Sequence, residues 1–109
     1  ESHYRVAIAR ANIGAVYLYV KDYTRALEHS LAALTILKQQ LGDSHPTTAS
    51  VYIGLAEIYL DMNDLRNALQ YYEKALVIYE QKYSSDTGDL IDLKRPIGDV
   101  NKRLSQRLE

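Results

Sequence analysis

Two carboxylates are the residues of this chain whose spacing best suits chemistry. Glu57 and Asp61 are four residues apart in a segment predicted to be helical, so they share one face of the helix. Such a pair can divide the roles of general acid and general base. No nucleophile or third polar group accompanies them in the pattern. We therefore predict that the chain has no catalytic residues and is not an enzyme.

The three histidines are the candidate metal ligands, because the chain has no cysteine. His3 and His45 each stand at the start of a predicted helix, where we expect them to stabilise the turn. His29 falls inside a predicted helix, and we expect it to face solvent. A metal site needs several ligands that converge, and the five glycines form no phosphate-binding loop. The pattern predicts no metal, no cofactor and no small-molecule substrate.

The net charge is close to zero, with 13 Lys and Arg against 14 Asp and Glu. Binding to nucleic acid or to an anionic membrane needs a basic surface, and no apolar run reaches the roughly 18 residues that a membrane-spanning helix needs. The basic residues near the C-terminus alternate with Asp92 and Asp99, which is typical of a solvated surface. Ten tyrosines could stack on single-stranded nucleic acid, but several fall at packing positions. We predict neither nucleic-acid nor membrane binding.

An internal repeat supplies the elements that position these residues. When the sequence is shifted against itself by 42 residues, twelve positions within one period are identical. The identical pairs include Ser2 and Ser44, His3 and His45, Tyr17 and Tyr59, Asp22 and Asp64, and Ala26 and Ala68. Agreement of this extent is far above chance, so the chain contains two copies of one unit.

Each copy is predicted to form two antiparallel helices. Apolar and small residues recur at helical spacing from Tyr4 to about Val20, and again from Thr47 to Met62. Asp22 is a predicted N-cap for the second helix of copy one, which Gly42 can end by adopting a left-handed conformation. The second helix of copy two runs from Asp64 to about Tyr83.

A third segment follows the two copies. Its apolar residues recur at steps of three and four, which predicts an amphipathic helix from about Asp89 to Leu108. Pro96 and Gly98 are expected to kink or divide this helix. We expect the segment to cap the second copy. The alternative is that it reaches past that copy to a partner helix or to a second copy of the chain, through Val100, Leu104 and Leu108.

The predicted organisation is therefore a single all-α domain. Repeat one spans residues 1–42 and repeat two spans residues 43–84. Residues 86–109 form a capping helix or a degenerate first helix of a third repeat.

Large and small residues recur in one series, which reads Arg10, Ile13-Gly14, Tyr17, Ala26, Ser30 and Ala33 in copy one, and Tyr52, Leu55-Ala56, Tyr59, Ala68, Tyr72 and Ala75 in copy two. This series resembles the tetratricopeptide repeat, whose marker series is Trp, Leu-Gly, Tyr, Ala, Phe, Ala. Two positions, Arg10 and Ser30, depart from the aromatic markers. The period of 42 resembles more narrowly the long repeats of kinesin light chains and related scaffold proteins. The resemblance implies a right-handed superhelical stack of antiparallel helix hairpins with a C-terminal capping helix.

The resemblance also implies a site, because the first helices of such repeats line a concave groove that holds a peptide or a partner helix. Ala11 and Ala15 stand where the clamp for a chaperone-tail carboxylate has Lys and Asn, so that clamp is not expected here. The matching groove positions are Ile8, Ala11, Asn12, Ala15 and Tyr19 in copy one, Ser50, Ile53, Gly54, Glu57 and Asp61 in copy two, and Arg95, Asp99 and Lys102 in the tail.

A largely apolar groove wall follows from Ala11, Ala15 and Ile53. Small side chains let a helix approach closely, so we expect the ligand to be an amphipathic helix or an apolar peptide of another protein, and not an acidic tail. The chain would then be a non-catalytic interaction module of a larger scaffold or adaptor. The alternative is a self-associating structural unit, such as a homodimer formed through the groove or the tail.

The chain begins at Glu1 and shows no signal-peptide pattern. We therefore expect it to be a piece of a larger cytoplasmic protein. The resemblance to kinesin light chains extends this expectation to an association with the cytoskeleton.

Overall fold

The computed structural model describes residues 2–83 and 88–108, which form five α-helices and contain no strand. The all-α prediction is confirmed, and the observed helix ends lie within two residues of the predicted ones. The boundary predicted between repeat two and the tail, at residues 84–86, lies outside the described residues. The helices are α1 (Ser2–Tyr19), α2 (Tyr23–Leu41), α3 (Pro46–Asp61), α4 (Leu65–Lys82) and α5 (Gly88–Leu108).

The helix ends are set by residues that satisfy free backbone groups. The carboxylates of Asp22 and Asp64 accept hydrogen bonds from the backbone amides of Arg25 and Asn67, both at 3.3 Å. The Nδ1 atom of His45 accepts one from the amide of Thr47 at 3.1 Å, which confirms the turn-stabilising role predicted for this histidine.

Gly42 follows the last residue of α2 with a φ of 89°, a region that side chains disfavour. Pro46 stands in the first turn of α3, where its missing N–H leaves no helical hydrogen bond unmade.

Within the first hairpin, α1 and α2 approach closely at Gly14. A Cβ atom at this position would collide with the hydroxyl of Ser30 and would lie 3.1 Å from the carbonyl oxygen of Ala26. The second hairpin has Ala56 and Tyr72 at the equivalent places, both buried. The small residue at Ser30, which departs from the aromatic marker, therefore accompanies a tighter contact between the two helices of repeat one.

One continuous core runs through both hairpins and the tail. The two hairpins meet where α2 packs against α3, and α5 packs against α4. Leu37, Leu55 and Leu65 are among the largest fully buried side chains of this core. Since each helix contacts its neighbours in the chain, the molecule is a stack of helices, as the repeat pattern predicts.

The tail packs against its own chain. Leu90, Leu93, Ile97 and Val100 of α5 are buried, and Leu104 is partly buried against the same core. The alternative in which Val100 seeks a partner outside the chain is therefore wrong for this residue, because α4 already covers it. The side chain of Leu108 lies outside the described residues.

Helix α5 is continuous through Pro96, so the predicted division of this helix is wrong. Proline cannot bond to the carbonyl oxygen of Asp92, one turn earlier. Asp92 is exposed, and water can satisfy that oxygen instead. Leu93 before the proline and Ile97 after it are both buried, which keeps both halves of the helix on α4.

Candidate functional site

A cleft lies between α3, α4 and α5, on the face of α3 where the groove was predicted. It encloses about 240 Å³. Ile53 and Glu57 enter it from α3, one turn apart. Its other lining residues are Tyr72 and Tyr79 of α4 and Asp89, Asp92, Leu93 and Pro96 of α5.

The cleft is acidic around an apolar centre. Its polar lining consists of two tyrosines and the carboxylates of Glu57, Asp89 and Asp92, with no Lys or Arg among these lining residues. Desolvation raises the pKa of Glu57 above its usual range. Burial also raises the pKa of Tyr72 to about 12, so its hydroxyl stays neutral at physiological pH. The arrangement suits a ligand that brings both apolar side chains and positive charge.

The structure brings only part of the predicted groove together at this cleft. On α1, Ile8 and Ala11 are half-buried, whereas Asn12, Ala15 and Tyr19 are exposed and lie outside the cleft. The exposed Ser50 donates a hydrogen bond to the carbonyl oxygen of Pro46 at 3.3 Å, and the exposed Arg95 does not line the cleft. Of the predicted residues, Ile53 and Glu57 are the two that the cleft contains.

The carboxylate of Asp61 is hydrogen-bonded within the protein and does not line the cleft. Its carboxylate accepts hydrogen bonds from the ammonium of Lys21 at 2.8 Å and from the hydroxyl of Tyr23 at 2.9 Å. These two donors belong to the first hairpin and Asp61 to the second, so the contact joins the repeats. The hydrogen bonds from Lys21 and Tyr23 lower the pKa of Asp61 below its usual range.

We expect Asp61→Asn to lower the thermal midpoint slightly at neutral pH, by less than a core truncation would. Because the pKa of Asp61 is lowered by folding, its charge stabilises the protein above the unfolded-state pKa. That contribution is lost as the pH falls through the folded-state value, so the difference between variant and parent should vanish in strong acid. Thermal melts at a series of pH values from 7 downward measure this difference in midpoint. Asp99→Asn is the control, because Asp99 is an exposed residue of α5. A difference that persists in acid would contradict the assignment.

His29 does not face solvent as predicted. It is half-buried, and its ring stacks on Tyr17 with centroids 5.5 Å apart. The repeat contained a signal for this contact, since the equivalent residues Tyr59 and Tyr71 stack in the same way at 5.7 Å. The histidine therefore belongs to the packing between α1 and α2.

Six lining residues of the cleft were not predicted as groove residues from the sequence: Tyr72 and Tyr79 of α4, and Asp89, Asp92, Leu93 and Pro96 of α5. The two tyrosines belong to a second helix, which the resemblance places away from the groove. The two aspartates are identifiable only once α5 is known to pack on α4. Asp89 and Asp92, which stand next to the apolar residues Leu90 and Leu93 in the sequence, were the available signal.

Comparison with known proteins agrees with this architecture. A family model described as tetratricopeptide repeat matches residues 5–81. KINESIN LIGHT CHAIN-RELATED 1 of Arabidopsis thaliana is 37% identical over 82 residues, which are 75% of this chain and 14% of that protein. KINESIN LIGHT CHAIN-RELATED 3 of the same plant is 40% identical over 75 residues, which are 69% of this chain and 12% of that protein.

A mouse relative, Tetratricopeptide repeat protein 8, is 29% identical over 76 residues, which are 70% of this chain and 15% of that protein. The chain thus spans less than a sixth of the length of these relatives. Repeats of this kind generally mediate protein–protein interaction and are typically non-catalytic. From the match over most of its length, the chain belongs to the tetratricopeptide repeat family.

Proposed function

We propose that the chain is a protein-interaction module that holds an amphipathic helix or an apolar peptide in the groove along α1, α3 and α5. The cleft around Ile53 is the observation that carries this proposal. Ile53 is half-buried and packs against the core while it still lines open space. An apolar ligand side chain placed there would remove further apolar surface from water, which favours binding.

The charges of the cleft limit the chemical type of ligand that can bind there. Glu57, Asp89 and Asp92 surround the apolar centre, and no basic residue lines it to balance them. A Lys or Arg next to an apolar residue of the ligand would complement this field, whereas an acidic segment would be repelled. We therefore propose a basic amphipathic ligand, as part of a cytoplasmic scaffold that can associate with the cytoskeleton.

The alternative is a self-associating structural unit, which would form its contacts through the groove, Leu104 or Leu108. Val100 is buried in its own chain, and Leu104 is partly buried there. Of the two described side chains predicted to reach another molecule, only Leu104 is therefore partly accessible. The interaction module is the better supported of the two functions.

We expect a fluorescent model helix of Leu and Lys to bind with a dissociation constant in the micromolar range, and an equally long helix of Leu and Glu to bind much more weakly. Ile53→Ser should weaken binding of the Leu and Lys helix about tenfold, because it removes an apolar contact without adding charge. Glu57→Gln should weaken binding and reduce its dependence on salt. Fluorescence anisotropy titrations measure each affinity.

Val77→Ser is the matched control, because Val77 is also an accessible apolar residue but lies on α4 outside the cleft. It should leave binding unchanged. Equal affinity for the two model helices, or equal effects of Ile53→Ser and Val77→Ser, would contradict the proposed groove.

A further inference from the structure

A second cleft lies beside the cleft around Ile53 and is likewise lined by α3 and α5. It encloses about 430 Å³. Pro96 lines both clefts, so the two are neighbours along α5. The other lining residues of the second cleft include Leu60 of α3 and Asp99, Val100, Lys102 and Arg103 of α5.

The two clefts carry opposite charges. The cleft around Ile53 has three carboxylates and no Lys or Arg among its lining residues. The second cleft has two bases, Lys102 and Arg103, against the single carboxylate of Asp99. Among the described residues no ion pair joins Asp99 to either base, and all three side chains are exposed. Both bases can therefore reach a ligand.

The change of charge follows the direction of both helices. On α5, Asp92 of the first cleft and Lys102 of the second are ten residues apart, which is about 15 Å along a helix. On α3, Ile53 and Leu60 are seven residues apart, which is about two turns. Ile53 and Leu60 both pack partly buried against the core. The groove is therefore acidic near the start of α5 and basic towards its end, with apolar contacts in both clefts.

We propose that the groove binds an amphipathic helix of another protein whose charges are divided, with Lys or Arg in one half and Asp or Glu in the other. This inference rests on the proposed function, because it concerns the ligand of the same groove, and it adds a second subsite at Lys102 and Arg103. A divided helix complements both clefts, whereas a uniformly basic helix brings like charges together at the second cleft. Apolar ligand residues two turns apart match the separation of Ile53 and Leu60.

The arrangement also sets the direction of the bound helix. A helix with acidic residues in its first half and basic residues in its second half has the charge order that its own dipole favours. The basic second half would lie at Asp89 and Asp92, near the start of α5. Such a ligand helix would therefore run antiparallel to α5.

Two model helices of about 18 residues test the division of charge. Both have leucines at the same positions, but one has only Lys on its polar face, and the divided helix has Glu in its first half and Lys in its second. The divided helix should bind about fivefold more tightly at low salt, since exposed ion pairs contribute modestly. Its advantage should shrink as salt is added. Fluorescence anisotropy titrations measure both affinities.

A double variant, Lys102→Glu with Arg103→Glu, should reverse the ranking of the two helices, because it makes the second cleft acidic like the first. The matched control is Lys94→Glu with Arg107→Glu. Both control residues are exposed on α5 outside the two clefts, and the change in net charge is the same. The control should leave the divided helix the tighter ligand. Circular dichroism should show the same helicity for the parent and both variants.

The direction is tested with a nitroxide label on the C-terminus of the divided helix. It should broaden the NMR amide signal of Asp89 more than that of Gln106, which lies near the other end of α5. Stronger broadening at Gln106 would overturn the proposed orientation of the charges.

Equal affinities of the two helices for the parent, or the same reversal in both double variants, would overturn the divided ligand. The proposed function would still stand if the Leu and Lys helix binds and Ile53→Ser weakens its binding. If neither helix binds, the groove assignment is wrong and both proposals fail. Binding of the divided helix that Ile53→Ser leaves unchanged would place this ligand on another surface and would also overturn the inference.

Discussion

Replacing Val100 with aspartate should lower the free energy of unfolding by about 4 kcal/mol, since it removes a buried apolar side chain and buries a charge without a partner. Val100 is fully buried where α5 lies on α4. The loss should appear as an earlier urea midpoint and a lower thermal midpoint. It is large because α5 covers the open side of the second hairpin, and a displaced α5 uncovers α4 as well.

Ile91→Asp is the matched control for this prediction. Ile91 is on the same helix, but it is about half exposed. The substitution introduces the same charge in the same helix, and we expect a change within about 0.5 kcal/mol. Equal losses from the two variants would mean that the position of α5 on α4 is wrong.

Leu55→Ala should cost about 3 kcal/mol of folding free energy, through lost apolar burial and the cavity that remains. Leu55 is fully buried at the middle of α3, with helices on both sides. Urea denaturation followed by circular dichroism measures the loss. The slope of the transition should stay unchanged if the native fold is retained.

The repeat provides the control for this truncation as well. Ile13 is the equivalent of Leu55, but it is 41% exposed on α1. Ile13→Ala should therefore cost less than about 1 kcal/mol. A cost equal to that of Leu55→Ala would show that Ile13 on α1 is covered as fully as Leu55 is on α3.

The fold was predictable from the sequence because its determinants are local. Asp22 and Asp64 cap helices through contacts to residues three positions later, and Gly42 ends a helix through its own backbone conformation. The close approach at Gly14 could be predicted for a similar reason, since the small residue and its neighbour on α2 recur in each repeat.

Contacts between distant residues were not predictable in the same way. Lys21 and Asp61 are 40 residues apart, and neither residue type indicates which partner the fold will supply. The predicted division of α5 at Pro96 was wrong because tertiary burial of Leu93 and Ile97 outweighs the local preference of proline. Rules based on neighbouring residues in the sequence do not predict how much of a helix other helices will bury.

The candidate site was predictable on one helix. Ile53 and Glu57 line the cleft as the family pattern implies, because their direction is set by their place in α3. Asp61, on the same predicted face, is held by two residues of the other hairpin. The acidic character of the cleft arises where α5 meets α3 and α4, and it depends on a packing arrangement that the repeat pattern does not describe.

The turns within the two hairpins differ at the middle one of the three residues that join the helices. Lys21 and Asn63 are equivalent residues, and both have left-handed backbones, with φ of 67° and 64°. Asparagine adopts this conformation readily and lysine less so, yet only Lys21 has a carboxylate, Asp61, within reach on the next unit. The equivalent of Asp61 in the tail is Arg103, which could not accept from an ammonium. The two repeats are therefore not interchangeable. If their order in the chain were exchanged, the ion pair between Lys21 and Asp61 could not form between them.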